Sequence, residues 1–411
     1  MTSTAQAPRG CADPLDVVYD VGLLDLDGVV YLGGSAIPGA AEALRNAEAA
    51  GMRLAYVTNN AFRTPAAIAA LLTSFGVPAT SEDVVTSAQA AARMVAERLP
   101  PGAPVLVVGG SGLRQAVRRQ GLRPVTTAAD RPRAVIQGYS PDISYPMLAE
   151  GGLAVAAGAL FVASNGDLTL PSRRGRQPGN GSLVQVIATA TGIRPLVAGK
   201  PEPPLHRESM LRTGAKHPLI VGDRLDTDIE AGSRVGADSM LVLTGVTSPA
   251  EAVLAPPSQR PTYLAENLTG LLELHPAVTS QDDGFGCRGW TARWDTDRLE
   301  LTGGGERIDG LRALCAAAWA DGCSSGSGDG RPSGASDGRA SRAADGHITG
   351  ESVQAALRRL DDAWLFRRLM VASGSRPCML SGMPGRAARE HGDRTGAAAM
   401  MLRVFCPSCC R

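Results

Sequence analysis

Across residues 17–274 the chain repeats one pattern, a short and nearly all apolar run followed by an Ala- and Leu-rich stretch of helical length. The runs are "VVYDVGLLDL", "RLAYVT", "PVLVVGG", "RAVIQG", "LFVAS", "RPLVAG", "PLIVGD" and "SMLVLT". Strands this apolar are buried on both faces, which happens where helices cover both sides of a parallel sheet. Helices fit over residues 40–50, 65–75, 87–99 and 227–235. The pattern predicts an α/β fold, a Rossmann-like doubly wound parallel sheet.

A chain of 411 residues exceeds one ordinary domain. Residues 16–80 and 192–275 are expected to form the core. Residues 81–191 hold strands and helices of their own and are expected to form an inserted α/β lobe. Residues 276–289 read as a linker, rich in turn residues. Residues 290–320 read as part of a C-terminal domain. There "GWTARWDTDRLELTG" alternates like a hairpin with Trp290, Trp294, Leu299 and Leu301 on its apolar side, and "ERIDGLRALCAAAWADG" suits a helix. A further helix fits 351–370. Residues 1–15 and 321–411 are expected to be disordered or without definable structure, the latter opening on a Gly/Ser/Asp/Arg-rich run.

A net charge of +1 argues against a nucleic-acid or membrane-surface role driven by bulk charge. No window approaches the roughly 18–20 apolar residues of a membrane span, and no signal peptide is evident, so the cytoplasm is the expected location. No cysteine lies between Cys11 and Cys287, so the main body relies on neither disulfides nor thiolates. "CPSC" at Cys406 and Cys409 has no second pair at ligand spacing and reads as incidental. Of 41 basic residues only Lys200 and Lys216 are lysines, which makes each lysine informative.

"LLDLDG" places Asp25 and Asp27 two apart at a strand's carboxyl end, the end where open α/β sheets bind ligands. Residues i and i+2 of an extended strand point the same way, so both carboxylates can face one site. Adjacent carboxylates repel, and a hard cation such as Mg²⁺ would compensate them. Gly28 then permits a close backbone approach. A solvated turn is the alternative, since D-x-D-G also suits turns.

Three further strand ends carry polar residues. "YVTNNAFRTP" ends in Thr58, Asn59 and Asn60, which can donate to an anionic oxygen or simply cap the next helix. "LVAGKPEPP" sets Lys200 at a strand end, where a compact ammonium suits a phosphoryl group as a point charge; a plain surface charge is the alternative. "LIVGDRLDTDIEAG" sets Asp223 at a strand end, with Asp226 and Asp228 opening a helix; Asp226 also suits an N-cap.

In this order the four stretches resemble the haloacid dehalogenase superfamily of aspartyl phosphatases, and "DLDGVVY … TNN … GKP … GDRLDTDI" is similar to its NagD-type branch. That branch includes p-nitrophenyl phosphate, phosphoglycolate, glycerol-phosphate and nucleotide phosphatases. The resemblance implies that Asp25 attacks phosphorus and forms an aspartyl-phosphate, and that Asp27 protonates the leaving group and later activates water. It implies that Thr58 and Asn59 hold the phosphoryl oxygens and Lys200 steadies the nucleophile. Mg²⁺ would be bound by Asp223, the Asp25 carboxylate and the Asp27 main-chain carbonyl, with Asp228 in support. The insert corresponds to the branch's large α/β cap domain. "ASNGDLTLPSRRGRQPGNGSL" resembles the cap segment that faces the substrate, with Gly166 where proline is usual, and Asn165 and Asp167 match its substrate-facing positions.

The resemblance thus implies Mg²⁺-dependent hydrolysis of a small phosphate monoester. With 4% aromatic residues and no cluster suited to base stacking, glycerol phosphate or phosphoglycolate is favoured over nucleotides, and a nucleotide or other sugar phosphate on the same fold is the alternative. Arg173, Arg174 and Arg176 would favour a second anionic group on the substrate if they faced the cleft. Two other readings are a phosphate-binding regulatory protein with little turnover, and a phosphotransferase or mutase. The first sits poorly with intact acids and lysine, the second with the short gap between Asp27 and Thr58. Relatives of this branch suggest a homodimer. The C-terminal stretch from Trp290 resembles the start of an acetyltransferase-like domain, without a convincing acyl-CoA pyrophosphate loop, so no acetyl transfer is expected.

Overall fold

A computed structural model describes residues 7–320 and 350–372, apart from 171, 173, 283, 296 and 297. Arg173, the Cys406/Cys409 pair and most of the 321–411 segment lie outside the described residues. The chain divides into one compact unit up to Leu365 and a short second unit from Phe366. A helix over Gly350–Ala372 runs into that second unit.

Six parallel strands form the core sheet in the order Tyr263–Ala265, Asp238–Val242, Pro218–Gly222, Val21–Leu24, Arg53–Thr58, Val84–Thr86. Period-two alternation sends neighbouring side chains to opposite faces. Leu24, Tyr56 and Val221 pack under the helices Ala40–Ala49 and Pro65–Ser74, whereas Leu23, Val57 and Ile220 face the other way. Thr64 caps the second of these helices, accepting from Ala67 N–H at 3.3 Å, and Pro65 supplies the preset φ of a first helical turn.

The insert is a second, five-stranded parallel sheet, ordered Leu196–Val197, Leu160–Ala163, Ala134–Gln137, Pro104–Val108, Arg123–Val125. Both expected boundaries shift. Val84–Thr86, assigned to the insert, is the edge strand of the core sheet. Leu196–Val197, assigned to the core, is the edge of the insert's sheet. Strands of two or three residues carry too little pattern to declare their sheet. The helix Ser87–Ala96 lies between the sheets and is opened by a Thr86/Gln89 capping box. Its alanines 88, 90, 91 and 92 are buried in one cluster with Leu23 and Val57 of the core and Val107 and Ile136 of the insert. Their small side chains allow both sheets to approach one helix closely.

The stretch 276–289 is not a linker. Thr279–Gln281 and Gly284–Cys287 are antiparallel strands that continue into Trp290–Asp295 and Arg298–Gly303, making a four-stranded sheet. The residues between the first two strands are hairpin-turn types, which in sequence look the same as linker. Trp290, Ala292, Leu299 and Leu301 are buried beneath the helix Arg307–Ala320, as the alternation requires. Trp319 on that helix donates from Nε1 to Val253 O at 3.2 Å, and Arg312 bonds Leu264 O at 2.6 Å in the core sheet's edge strand. The start of the chain also differs. "VVYDVGLLDL" is a single helical turn, Leu15–Val18, and then a strand over Val21–Leu24. No helix among the described residues is long and apolar enough to cross a membrane.

Candidate active site

Asp25 directly follows the strand Val21–Leu24, and its main-chain N–H still bonds Val221 O at 2.8 Å. Leu26 turns into the core at 2% exposure, which leaves Asp25 and Asp27 on the opposite side from it. Asp25 is half-buried and Asp27 exposed, with Gly33 N–H at 3.4 Å from Asp27 Oδ1. Gly28 adopts φ +91°, and a Cβ there would stand 2.4 Å from Asp223 Oδ2. Only glycine meets both demands.

Lys200 is 3% exposed and uses all three of its N–H donors. They reach the Asp25 carboxylate, Asp228 Oδ1 at 2.7 Å and Val57 O at 3.1 Å. Burial alone would lower the lysine's pKa. Asp228 and Asp25 outweigh it, so the ammonium is held firmly charged. Burial raises the Asp25 carboxyl, opposed by Lys200 and reinforced by Asp228 and Asp223.

Asp223 ends the strand Pro218–Gly222 and is fully buried. Its Oδ2 accepts from Val246 N–H at 2.7 Å, while Oδ1 is buried with no partner. Burial and Asp228 push this carboxyl up to about 6. Asp228 lies in a π-helical turn, Leu225–Ile229, that brings its Oδ2 to 3.2 Å from Arg224 N–H. Asp226 turns outward and pairs with Arg224 at 2.9 Å; it is not an N-cap.

Asp25, Asp223 and Asp228 each offer an oxygen within 4.8 Å of one another. Among the described residues this is the one such group of metal-capable side chains. An all-oxygen donor set with an unpartnered buried carboxylate oxygen suits a hard divalent cation such as Mg²⁺. A single lysine does not neutralise three carboxylates so close together. The Asp27 carboxylate lies outside the trio.

The second loop differs from expectation. Thr58 is buried at the strand's end, and its Oγ1 accepts from Asn60 N–H at 3.1 Å. The side chain of Asn59 is engaged by Lys200 and Asp167. Its Oδ1 accepts from Lys200 N–H at 2.8 Å, and its Nδ2 donates to Lys200 O and to Asp167 Oδ2, each at 3.2 Å. Asn60 is exposed, and its Oδ1 accepts from Phe62 and Arg63 N–H, both at 3.0 Å, shaping the loop before the helix cap. In the insert, Asn165 Nδ2 donates to Asn59 O at 2.8 Å. Burial raises the Asp167 carboxyl, and the Arg224 charge opposes it. Arg174 and Arg176 are exposed.

Sequence reasoning missed the fifth loop, Thr244–Val246. Thr244 donates to Gly28 O, and a Cβ at Gly245 would sit 2.0 Å from Asp223 Oδ2. The threonine–glycine pair directly after an apolar strand was the available signal. The placement of Lys200 also differs, because its loop leaves the insert's sheet and not the core's.

Two family models match the chain across the core and the first part of the insert. One, haloacid dehalogenase-like hydrolase, matches residues 22–123, and a second of the same group matches 197–271. A GCN5-related N-acetyltransferase like domain matches 287–360. The D-glycerol 3-phosphate phosphatase of Mycobacterium tuberculosis is 46% identical over 308 residues, covering 73% of this chain and 86% of that protein. A 5'-nucleotidase of Bacillus subtilis is 39% identical over 249 residues, covering 60% and 95%. The crystal structure of the Mycobacterium tuberculosis glycerol phosphate phosphatase in complex with magnesium superposes with a TM-score of 0.70 at 43% identity, covering 75% of this chain and 92% of that one.

Proposed function

We propose that this chain, which belongs to the haloacid dehalogenase superfamily as one of its NagD-type Mg²⁺-dependent phosphatases, hydrolyses glycerol phosphate or a closely similar small polyol phosphate. The observation that carries the reading is the shared seat of Asp25, Lys200, Asp223 and Asp228. The 46% relative adds weight because the similarity covers 86% of that phosphatase. Asp167, a carboxylate on the insert beside the lysine loop, suits hydroxyl groups better than a second anion.

Asp25 is the nucleophile. Lys200 orients its carboxylate and opposes the charge that gathers as phosphorus is approached. Thr58 and the main chain after it would hold the phosphoryl oxygens. Asp27, exposed outside the trio, gives a proton to the leaving alkoxide and takes one from the water that cleaves the aspartyl-phosphate. Asp25, Asp223 and the Asp27 carbonyl would hold Mg²⁺, with Asp228 in support. The bound ion supplies electrostatic stabilisation of the transferring group. The insert limits the cleft to small molecules.

Phosphate release from glycerol 3-phosphate, phosphoglycolate and nucleoside monophosphates with Mg²⁺ tests the substrate. The proposal expects the highest kcat/KM on glycerol phosphate; a higher value on phosphoglycolate or a nucleotide contradicts it.

A further inference from the structure

Lys200 reaches the site from the insert. The strand before it, Leu196–Val197, is the outer edge of the insert's sheet, and Ala198 N–H still bonds Ala163 O at 3.0 Å. The core sheet therefore does not fix this lysine's main chain. The amide of Asn59 does, accepting from Lys200 N–H and donating to Lys200 O as a neighbouring strand's backbone would. Gly199 permits the contact, because a Cβ there would stand 2.5 Å from Asn59 Oδ1. On its other side the same amide meets Asp167, while the main-chain carbonyl of Asn59 accepts from Asn165 Nδ2 at 2.8 Å and Ser87 Oγ at 2.7 Å.

We propose that Asn59 is a positioning residue that couples the insert to the nucleophile. The Asn165–Asp167 turn seats on Asn59, Asn59 sets the main chain of Lys200, and the ammonium of Lys200 is thereby placed against Asp25. The amide is fully committed to these partners, so it does not bind phosphate. The inference rests on the roles proposed above for Lys200 and Asp25. A displacement of about 1 Å in such a group lowers turnover by about 100-fold.

The test is steady-state kinetics of the full chain with Mg²⁺ and p-nitrophenyl phosphate. Asn59→Ala is expected to lower kcat about 10- to 100-fold with KM within about threefold. Asp167→Ala is expected to lower kcat less, and the double variant to match Asn59→Ala alone, since both act through one contact. In a Lys200→Ala background, measured on residual turnover, Asn59→Ala should change kcat less than about twofold. The proposal is overturned if Asn59→Ala keeps kcat within about twofold of wild type, if it raises KM alone, or if its loss multiplies with that of Lys200→Ala. Should Asn59→Ala not fold, Asp167→Ala carries the same comparison, with a loss expected beside Lys200 and none beside Ala at that position. Asp25→Asn separates the two levels. If it turns over, the reading of the site fails; if it is inert while Asn59→Ala is fully active, only the coupling fails.

Discussion

The ammonium of Lys200 sits between two carboxylates, bonded to Asp25 and, at 2.7 Å, to Asp228 Oδ1. Asp228 is 1% exposed, so removing the lysine leaves like charges facing one another with little solvent between them. Lys200→Ala is expected to destabilise the metal-free protein by about 3–5 kcal/mol, and adding Asp228→Asn to recover part of that loss. Urea unfolding in EDTA measures both. Unchanged stability in Lys200→Ala would show that the pair is not as buried as described.

Mg²⁺ should stabilise the fold by about 2.7 kcal/mol at 100 times its Kd, and Asp223→Asn should remove most of that effect. The ion needs an ionised Asp223, whose carboxyl is pushed up to about 6, so the Mg²⁺ effect should shrink as pH falls from 7 through 6. Without the ion the sign reverses. A carboxyl with a raised folded pKa destabilises where it must ionise while buried, so this group's penalty is present above about 6 and fades below it. Thermal unfolding with and without Mg²⁺ at several pH values reads both trends, which should be absent in Asp223→Asn.

Gly245→Ala should lower activity by about tenfold or more with the fold retained, because its Cβ would stand 2.0 Å from Asp223 Oδ2 and push that oxygen aside. Circular dichroism and the Mg²⁺ dependence of kcat check this. Loss should appear as a raised Mg²⁺ requirement, and an unchanged requirement would contradict it.

His206 is 1% exposed with both ring nitrogens unpartnered, and burial followed by the Lys200 charge lowers its pKa to about 3. The unfolded chain takes up this proton near 6.5 and the folded one does not, so the group weakens the fold as pH falls below about 6.5, by up to about 1.4 kcal/mol per pH unit. His206→Leu should flatten that decline in denaturant unfolding between pH 7 and 4.5. Parallel curves for the two proteins would refute the assignment.

Leu225 and Ile229, the first and last residues of the π-helical turn that carries Asp228, share a buried cluster with Trp290, Leu314 and Trp319 of the C-terminal part. Trp319→Ala is expected to destabilise by about 3–5 kcal/mol and to raise the Mg²⁺ requirement as the turn loosens. If stability and Mg²⁺ dependence are both unchanged, the C-terminal sheet and helix are not a support for the core.

Long apolar strands made the core sheet and the insert's sheet legible, because burial on both faces leaves a run of Val, Leu and Ile that nothing else imitates. Asp25 and Asp223 were legible as strand-end acids for a related reason, since each follows such a strand directly. Val84–Thr86 and Leu196–Val197 were assigned to the wrong sheets because short strands owe their partners to tertiary packing. The partners of Asn59 were not legible, because a side-chain amide is a donor and acceptor to either a phosphate or a backbone, and only the return path of the Lys200 loop brings that main chain to it. The Thr279–Cys287 hairpin was hidden by Asp and Gly, which mark turns and linkers alike.

The most direct measurement is a rapid acid quench of the enzyme turning over ³²P-labelled glycerol phosphate with Mg²⁺, followed by peptide mapping. Label bound through an acyl linkage to the peptide that contains Asp25, and absent from Asp25→Asn, is the predicted result. Turnover with no label on the protein, or with label on a peptide lacking Asp25, would contradict it.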